Sequence, residues 1–158
     1  MDKANIATVK GLNLPISTKA SIEICNYIRY KQLNRARNEL NLVLEKKLAI
    51  PLKRFHKDRG HRESIGPGFY PEKPTKEIIK LLNSIEANAQ NKGLNTDSLI
   101  LKKIIVNKAS TPSHSGRNRG LMKRTHIEIE VHEAEPKTHR KETKPVKPKA
   151  ESQKEIEK

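Results

Sequence analysis

A strict alternation of apolar and polar residues late in the chain is its most restrictive feature. Ile127, Ile129 and Val131 alternate with His126, Glu128, Glu130 and His132, and the two-residue period of a strand puts the three branched side chains on one face. That face is built to be buried. The earlier run Leu99-Ile-Leu-Lys-Lys-Ile-Ile-Val-Asn107 alternates less cleanly, but its β-branched content favours a strand with much of both faces covered. The two runs are expected to pair antiparallel as the arms of a long hairpin, residues 99–133. Their connection carries Lys108, Arg117, Arg119, Lys123 and Arg124, spaced by Pro112, Gly116, Gly120 and small hydroxyl residues, and contains no acidic side chain. It buries almost nothing, so it reads as a cationic tip that needs an outside partner.

Composition limits what the rest can be. With 34% hydrophobic and 3% aromatic residues, a chain of 158 has material for one small core plus extensions. The formal net charge of +15 repels itself in the free protein and attracts polyanions, nucleic acid first and an anionic membrane second. No stretch approaches the roughly 18 apolar residues of a spanning helix, and no helix pairs a strong apolar face with a uniformly basic one. The start, Met1-Asp-Lys-Ala-Asn5, does not open a secretory signal. A soluble intracellular protein without membrane insertion is expected. Cys25, the single cysteine, sits on an apolar helical stripe, which excludes an internal disulfide and points to packing.

In chain order, residues 5–14 carry Ile6, Val9, Leu12 and Leu14, a short strand able to join the hairpin's sheet. Ser17 is placed to cap a helix beginning near Thr18, with Ala20, Ile24, Tyr27 and Ile28 on one face. A second helix is expected from Asn34 through Leu48, with Ala36, Leu40, Val43 and Leu44 on its apolar side. A third starts at Thr75, turns Ile78, Leu81, Leu82, Ile85 and Ala89 inward, and stops at Gly93. The fold class is therefore α+β: about three helices packed on a small antiparallel sheet. Residues 134–158 are Lys, Glu, Pro, Thr and Ser with few branched apolars, a segment expected to be disordered and of mixed charge.

Between the second and third helices, residues 50–74 hold Pro51, Gly60, Gly66, Pro67, Gly68, Pro71 and Pro74, which argue against any regular element there. Loops this long in small domains are usually functional or disordered. Lys53, Arg54, His56, Arg59, His61 and Arg62 crowd its first half, where Asp58 is the only acid before Glu63; that density suits phosphate contacts. Phe55 suits either stacking on a base or anchoring into the domain's own core. His56 and His61 read as surface or hydrogen-bonding groups, since a zinc site needs about four close Cys or His ligands.

Four stretches then match a known pattern in order: Ala49-Ile-Pro-Leu-Lys-Arg-Phe-His56, Glu86-Ala-Asn-Ala-Gln-Asn-Lys-Gly-Leu94, Asp97-Ser-Leu99 with Val106-Asn-Lys-Ala109, and Thr125-His-Ile-Glu128. With them, roughly residues 5–133 resemble the archaeal and eukaryotic branch of the large-subunit ribosomal protein family called L-twenty-two, whose eukaryotic members are numbered seventeen. The resemblance implies a single domain over 1–133. It also implies a structural, non-enzymatic role without cofactors in the large subunit of the cytoplasmic ribosome. The partners it implies are large-subunit ribosomal RNA and neighbouring large-subunit proteins, with the nascent chain and factors at the tunnel exit beyond them. By position it assigns Lys53, Arg54, His56, Gly60, His61 and Arg62 to an RNA-facing loop and Lys108, Gly116, Arg117, Lys123 and Arg124 to the hairpin, whose tip would line the peptide exit tunnel; the neighbouring Arg59, His114 and Arg119 complete the candidate RNA contacts. Where that family carries an arginine run with an aromatic, this chain has the shorter Ser110-Thr-Pro-Ser-His-Ser115, which implies a tip of shorter reach.

Two rival readings follow from the residues alone. One is a metal-dependent nuclease using His126, Glu128 and Glu130, which share a strand face; cross-strand ion pairs account for the two acids more simply. The other is an RNA-binding or RNA-chaperone module outside the ribosome, which composition does not separate from a ribosomal protein.

Overall fold

The computed structural model describes residues 5–134. Most of the segment 134–158 lies outside them. The order of elements is strand β1 (Ile6–Leu14), helices α1 (Thr18–Ile28) and α2 (Leu33–Leu44), short strands β2 (Ile50–Pro51), β3 (His61–Arg62) and β4 (Gly66–Phe69), helix α3 (Glu72–Asn91), a 3-10 turn (Thr96–Ser98), and strands β5 (Leu99–Lys108) and β6 (Thr125–Glu133). The α+β class holds, as do three helices and the antiparallel pairing of the two late strands.

The alternating run becomes the centre of the main sheet, ordered β1-β6-β5 and antiparallel throughout. Ile127, Ile129 and Val131 are fully buried, together with Ala7, Leu99 and Leu101 from the flanking strands. Helices supply the other half of the core through Ile24, Ile28, Leu40, Val43, Ile78, Leu82 and Ile85. The opposite face of β6 pairs its acids across the sheet: Lys10 Nζ lies 3.2 Å from Glu128 and Lys103 Nζ lies 2.9 Å from Glu130. His126 Nδ1 accepts from the Asn13 amide. All three groups invoked for a nuclease thus have partners within the fold.

The outer edge of β5 is covered where the α1–α2 connection runs beside it. Tyr30 N–H donates to the Leu101 carbonyl, Leu101 N–H donates to the Lys31 carbonyl, and Arg29 Nη2 donates to the Ile104 carbonyl at 2.9 Å. An edge closed in this way offers little to a stray strand.

Four local expectations are corrected. Ser17 occupies the N-cap position of α1, but its side chain makes no capping bond; its carbonyl instead accepts from the amide and hydroxyl of Ser21. Helix α2 starts at Leu33, which is buried, and ends at Leu44, because Lys46 turns left-handed and the amides of Lys47 and Leu48 both fold back onto the Leu42 carbonyl. Leu48 still packs on the core from beyond the helix. Helix α3 begins at Glu72, since Pro74 falls in the first turn, where a missing N–H removes no helical bond. Residues 50–74 are not without regular structure: β2, β4 and β3 form a miniature antiparallel sheet, in strands too short to show a periodic pattern.

Candidate nucleic-acid interface

The basic loop starts from β2 and is tied to α1 by an acid. Glu23 is only 2% exposed. Its Oε1 accepts from the amides of Arg54 (2.8 Å) and Phe55 (2.7 Å), and its Oε2 accepts from the amide of Lys53 (3.2 Å). The backbone is thus pinned while the Lys53 and Arg54 side chains stay exposed. Phe55 does not join the core. It is half-buried, with the Arg54 guanidinium 5.1 Å and Lys19 Nζ 5.8 Å from its ring centre.

Further along, the miniature sheet places two more cations on aromatic platforms. Arg59 lies 5.3 Å from the Phe69 ring and Arg62 lies 5.4 Å from the Tyr70 ring, distances at which a cation is attracted to the ring quadrupole. Both arginines line an open groove of about 540 Å³, with the Lys46–Glu72 ion pair on its rim. His56, in a left-handed conformation, and His61, opposite Pro67 in the sheet, are exposed. Among the described residues no group of three His, Cys, Asp or Glu is arranged to hold a metal ion.

The second cationic segment joins β5 to β6. Lys108 closes β5 opposite Thr125. Beyond it the connection is held by a few backbone bonds: Ala109 N–H to the Arg124 carbonyl, Met122 N–H to Pro112, and His114 N–H to Gly120. Arg117 and Arg119 at the tip are exposed, as are His114 and Lys123; neither tip arginine has a hydrogen-bond or ion-pair partner among the described residues. Arg124 differs. Its Nη1 donates to the Asn13 carbonyl at 3.1 Å, which engages part of the guanidinium in holding the sheet's end together. His114, Lys123 and Arg124 line one side of a groove of about 490 Å³, and Lys73 and Pro74 of α3 line another.

The structure thus divides the predicted loop cations between two places, Lys53 with Arg54 and Arg59 with Arg62, and of the hairpin residues it brings His114, Lys123 and Arg124 to one groove while Arg117 and Arg119 stand exposed at the tip. Sequence reasoning missed Glu23, Lys19 and the two aromatic platforms. For Glu23 a signal exists: it falls at helical spacing between Ala20 and Tyr27, an acid on an apolar face.

Titrating groups in and near α1 are shifted by their surroundings, Tyr27 upward, first by burial and then by Glu39. Burial pushes the Cys25 thiol up to about 12, with Arg29 partly opposing it. At the α1–α2 corner, burial raises the Glu39 carboxyl, but hydrogen bonds from Lys31 and Arg35 outweigh it and hold the group below its ordinary value.

A small α+β domain with two acid-poor cationic segments matches a known family in sequence. The chain belongs to the family described as ribosomal protein L22p/L17e, which it matches over residues 9–132. Among its relatives is the large ribosomal subunit protein uL22 of Nanoarchaeum equitans, 41% identical over 139 residues, covering 82% of this chain and 79% of that one. Those of Thermoplasma acidophilum (38% over 120 residues; 73% and 80%) and Methanosphaera stadtmanae (38% over 138 residues; 82% and 90%) are similar to it as well. These relatives are archaeal, in keeping with the branch the motifs indicated.

Proposed function

We propose that this chain is a structural constituent of the large subunit of the cytoplasmic ribosome. In this reading it binds large-subunit ribosomal RNA through the basic loop and the hairpin connection, supports assembly, and contributes its hairpin to the peptide exit tunnel. Family membership over residues 9–132 carries the ribosomal part. What supports RNA as the ligand is the pairing of a rigid core with exposed cations in acid-poor segments, in a chain of net charge +15. Such cations neutralise phosphates and release condensed counterions, so binding falls steeply with salt and carries little base specificity. Folded RNA is read largely by shape, and a narrow hairpin enters gaps between RNA helices that a globular surface does not. Neighbouring large-subunit proteins, the nascent chain and exit-site factors are the further partners in this reading. Bond chemistry has no part in it.

A sucrose gradient of cell lysate tests this, with the protein quantified in each fraction before and after washes of rising salt. Stoichiometric co-sedimentation with the large subunit that persists through modest salt, with release setting in only as the salt is raised further, is the expected result. Recovery at the top of the gradient, or release at modest salt, would overturn it in favour of an RNA-binding or RNA-chaperone module outside the ribosome.

A further inference from the structure

Three consecutive amides, those of Lys53, Arg54 and Phe55, converge on the two oxygens of one buried side chain, and from this we infer that Glu23 is the positioning residue of the basic loop, shaping it for polyanion binding without touching the ligand. The inference rests on the reading of that loop as an RNA-binding element. An acid beside a phosphate-binding surface is unfavourable by charge alone. Burying one is costly unless its oxygens are satisfied, and here backbone amides do so. Among the described residues no lysine or arginine side chain pairs with Glu23, so the charges of Lys53 and Arg54 remain directed outward.

The same contact decides where an anion can bind. Successive backbone amides facing one point form a natural anion nest. Glu23 fills it, which closes the backbone to phosphate and leaves the exposed Lys53 and Arg54 side chains as the groups that meet the ligand. One turn earlier on α1, Lys19 joins Arg54 around the Phe55 ring. A single helical segment therefore sets the backbone of the loop's entry and adds a cation to the surface it forms. Pre-organisation of this kind strengthens binding by removing the ordering cost that a flexible loop would incur.

The sign of the effect separates positioning from charge. Glu23→Gln makes the protein one unit more positive, so electrostatics alone predicts equal or tighter binding to a large-subunit ribosomal RNA transcript. Positioning predicts the reverse, because an amide group offers one acceptor oxygen and turns an N–H₂ toward the remaining amide. Affinity at fixed salt is expected to weaken about three- to tenfold, and the loss should vanish when Glu23→Gln is added to a Lys53→Ala/Arg54→Ala background. Unchanged or tighter binding of Glu23→Gln, or a loss that persists in that background, would overturn the inference. Should Lys53→Ala/Arg54→Ala itself bind like the unmodified protein, the RNA reading of the loop fails first, visibly and before Glu23 is altered. A measurement on the unmodified protein covers a variant that does not fold. The Lys53, Arg54 and Phe55 amides should exchange hydrogen at least about tenfold more slowly than the Lys57 amide, and equal rates would refute the anchor.

Discussion

Residues 53–62 and residues 109–124 are both rich in Lys and Arg and poor in acids, yet the fold holds them in different ways. The first is fastened at its entry to a buried carboxyl group and closed by a miniature sheet. The second runs exposed from Pro112 to Leu121, with one isolated bridge between Ser113 and Leu121 and no buried anchor along that stretch. Similar charge thus serves two strategies. A fastened loop presents its cations in a geometry set before any ligand arrives. An unfastened one takes its final shape from what it contacts, and gives up part of the interaction energy to ordering.

The comparison breaks most completely if the part common to both is damaged. Ile129 is fully buried at the middle of β6, the strand that receives the connection and centres the sheet. Ile129→Ala should cost about 2–5 kcal/mol, read from chemical denaturation. Protection of the Lys53–Phe55 amides and of the Ala109 amide should fall together, because both depend on one cooperative core.

A smaller, local effect distinguishes the loop. Gly68 in β4 is buried, and a Cβ there would stand 2.8 Å from Arg62 Cγ and 3.1 Å from Ile65 Cδ1. Gly68→Ala should cost about 1–3 kcal/mol and displace Arg62 from the Tyr70 ring, with no change in the connection. Resonances of Tyr70 should shift while those of Arg117 and Arg119 stay in place.

The anchor helix also predicts a pH dependence. Cys25 lies two residues after Glu23 on α1, and its thiol is raised to about 12. The unfolded chain gives up that proton near pH ~8.5, whereas the folded one retains it. Its stabilising contribution is therefore complete below that pH and is lost as pH rises toward 12, at up to about 1.4 kcal/mol per pH unit. Denaturation midpoints of the protein and of Cys25→Ala should diverge in slope above pH ~9. Parallel slopes would mean the thiol is reached by water.

These same elements explain what was legible beforehand. Strand β6 and the inward face of α3 were, because a period of two or 3.6 residues encodes burial locally. Helix ends were less so: α2 stops where Lys46 adopts a left-handed conformation, which no residue type there announces. The miniature sheet was hidden because strands of two residues carry no period. Glu23 was legible only as an acid on an apolar helical face, since its meaning depends on amides some thirty positions away in sequence. The candidate cations were legible as a set, but composition alone did not distinguish Arg124, drawn to the Asn13 carbonyl, from Arg117 and Arg119 at the tip.

That last distinction leads to the substitution with the least effect on stability and the clearest bearing on the two strategies. Arg117 and Arg119 touch nothing that the fold needs, so Arg117→Ala/Arg119→Ala should leave stability within about 0.5 kcal/mol of the original. If each meets one phosphate, the slope of log affinity against log salt should flatten by roughly 1.4–1.8, the sum of two contacts. Arg124→Ala should behave in the opposite sense, losing stability through the Asn13 contact and changing the slope by less than one contact's share. Flattening of the slope by Arg124→Ala with stability unchanged would show that Arg124 abandons Asn13 for the ligand. The base of the connection would then be shaped by its partner as fully as the tip.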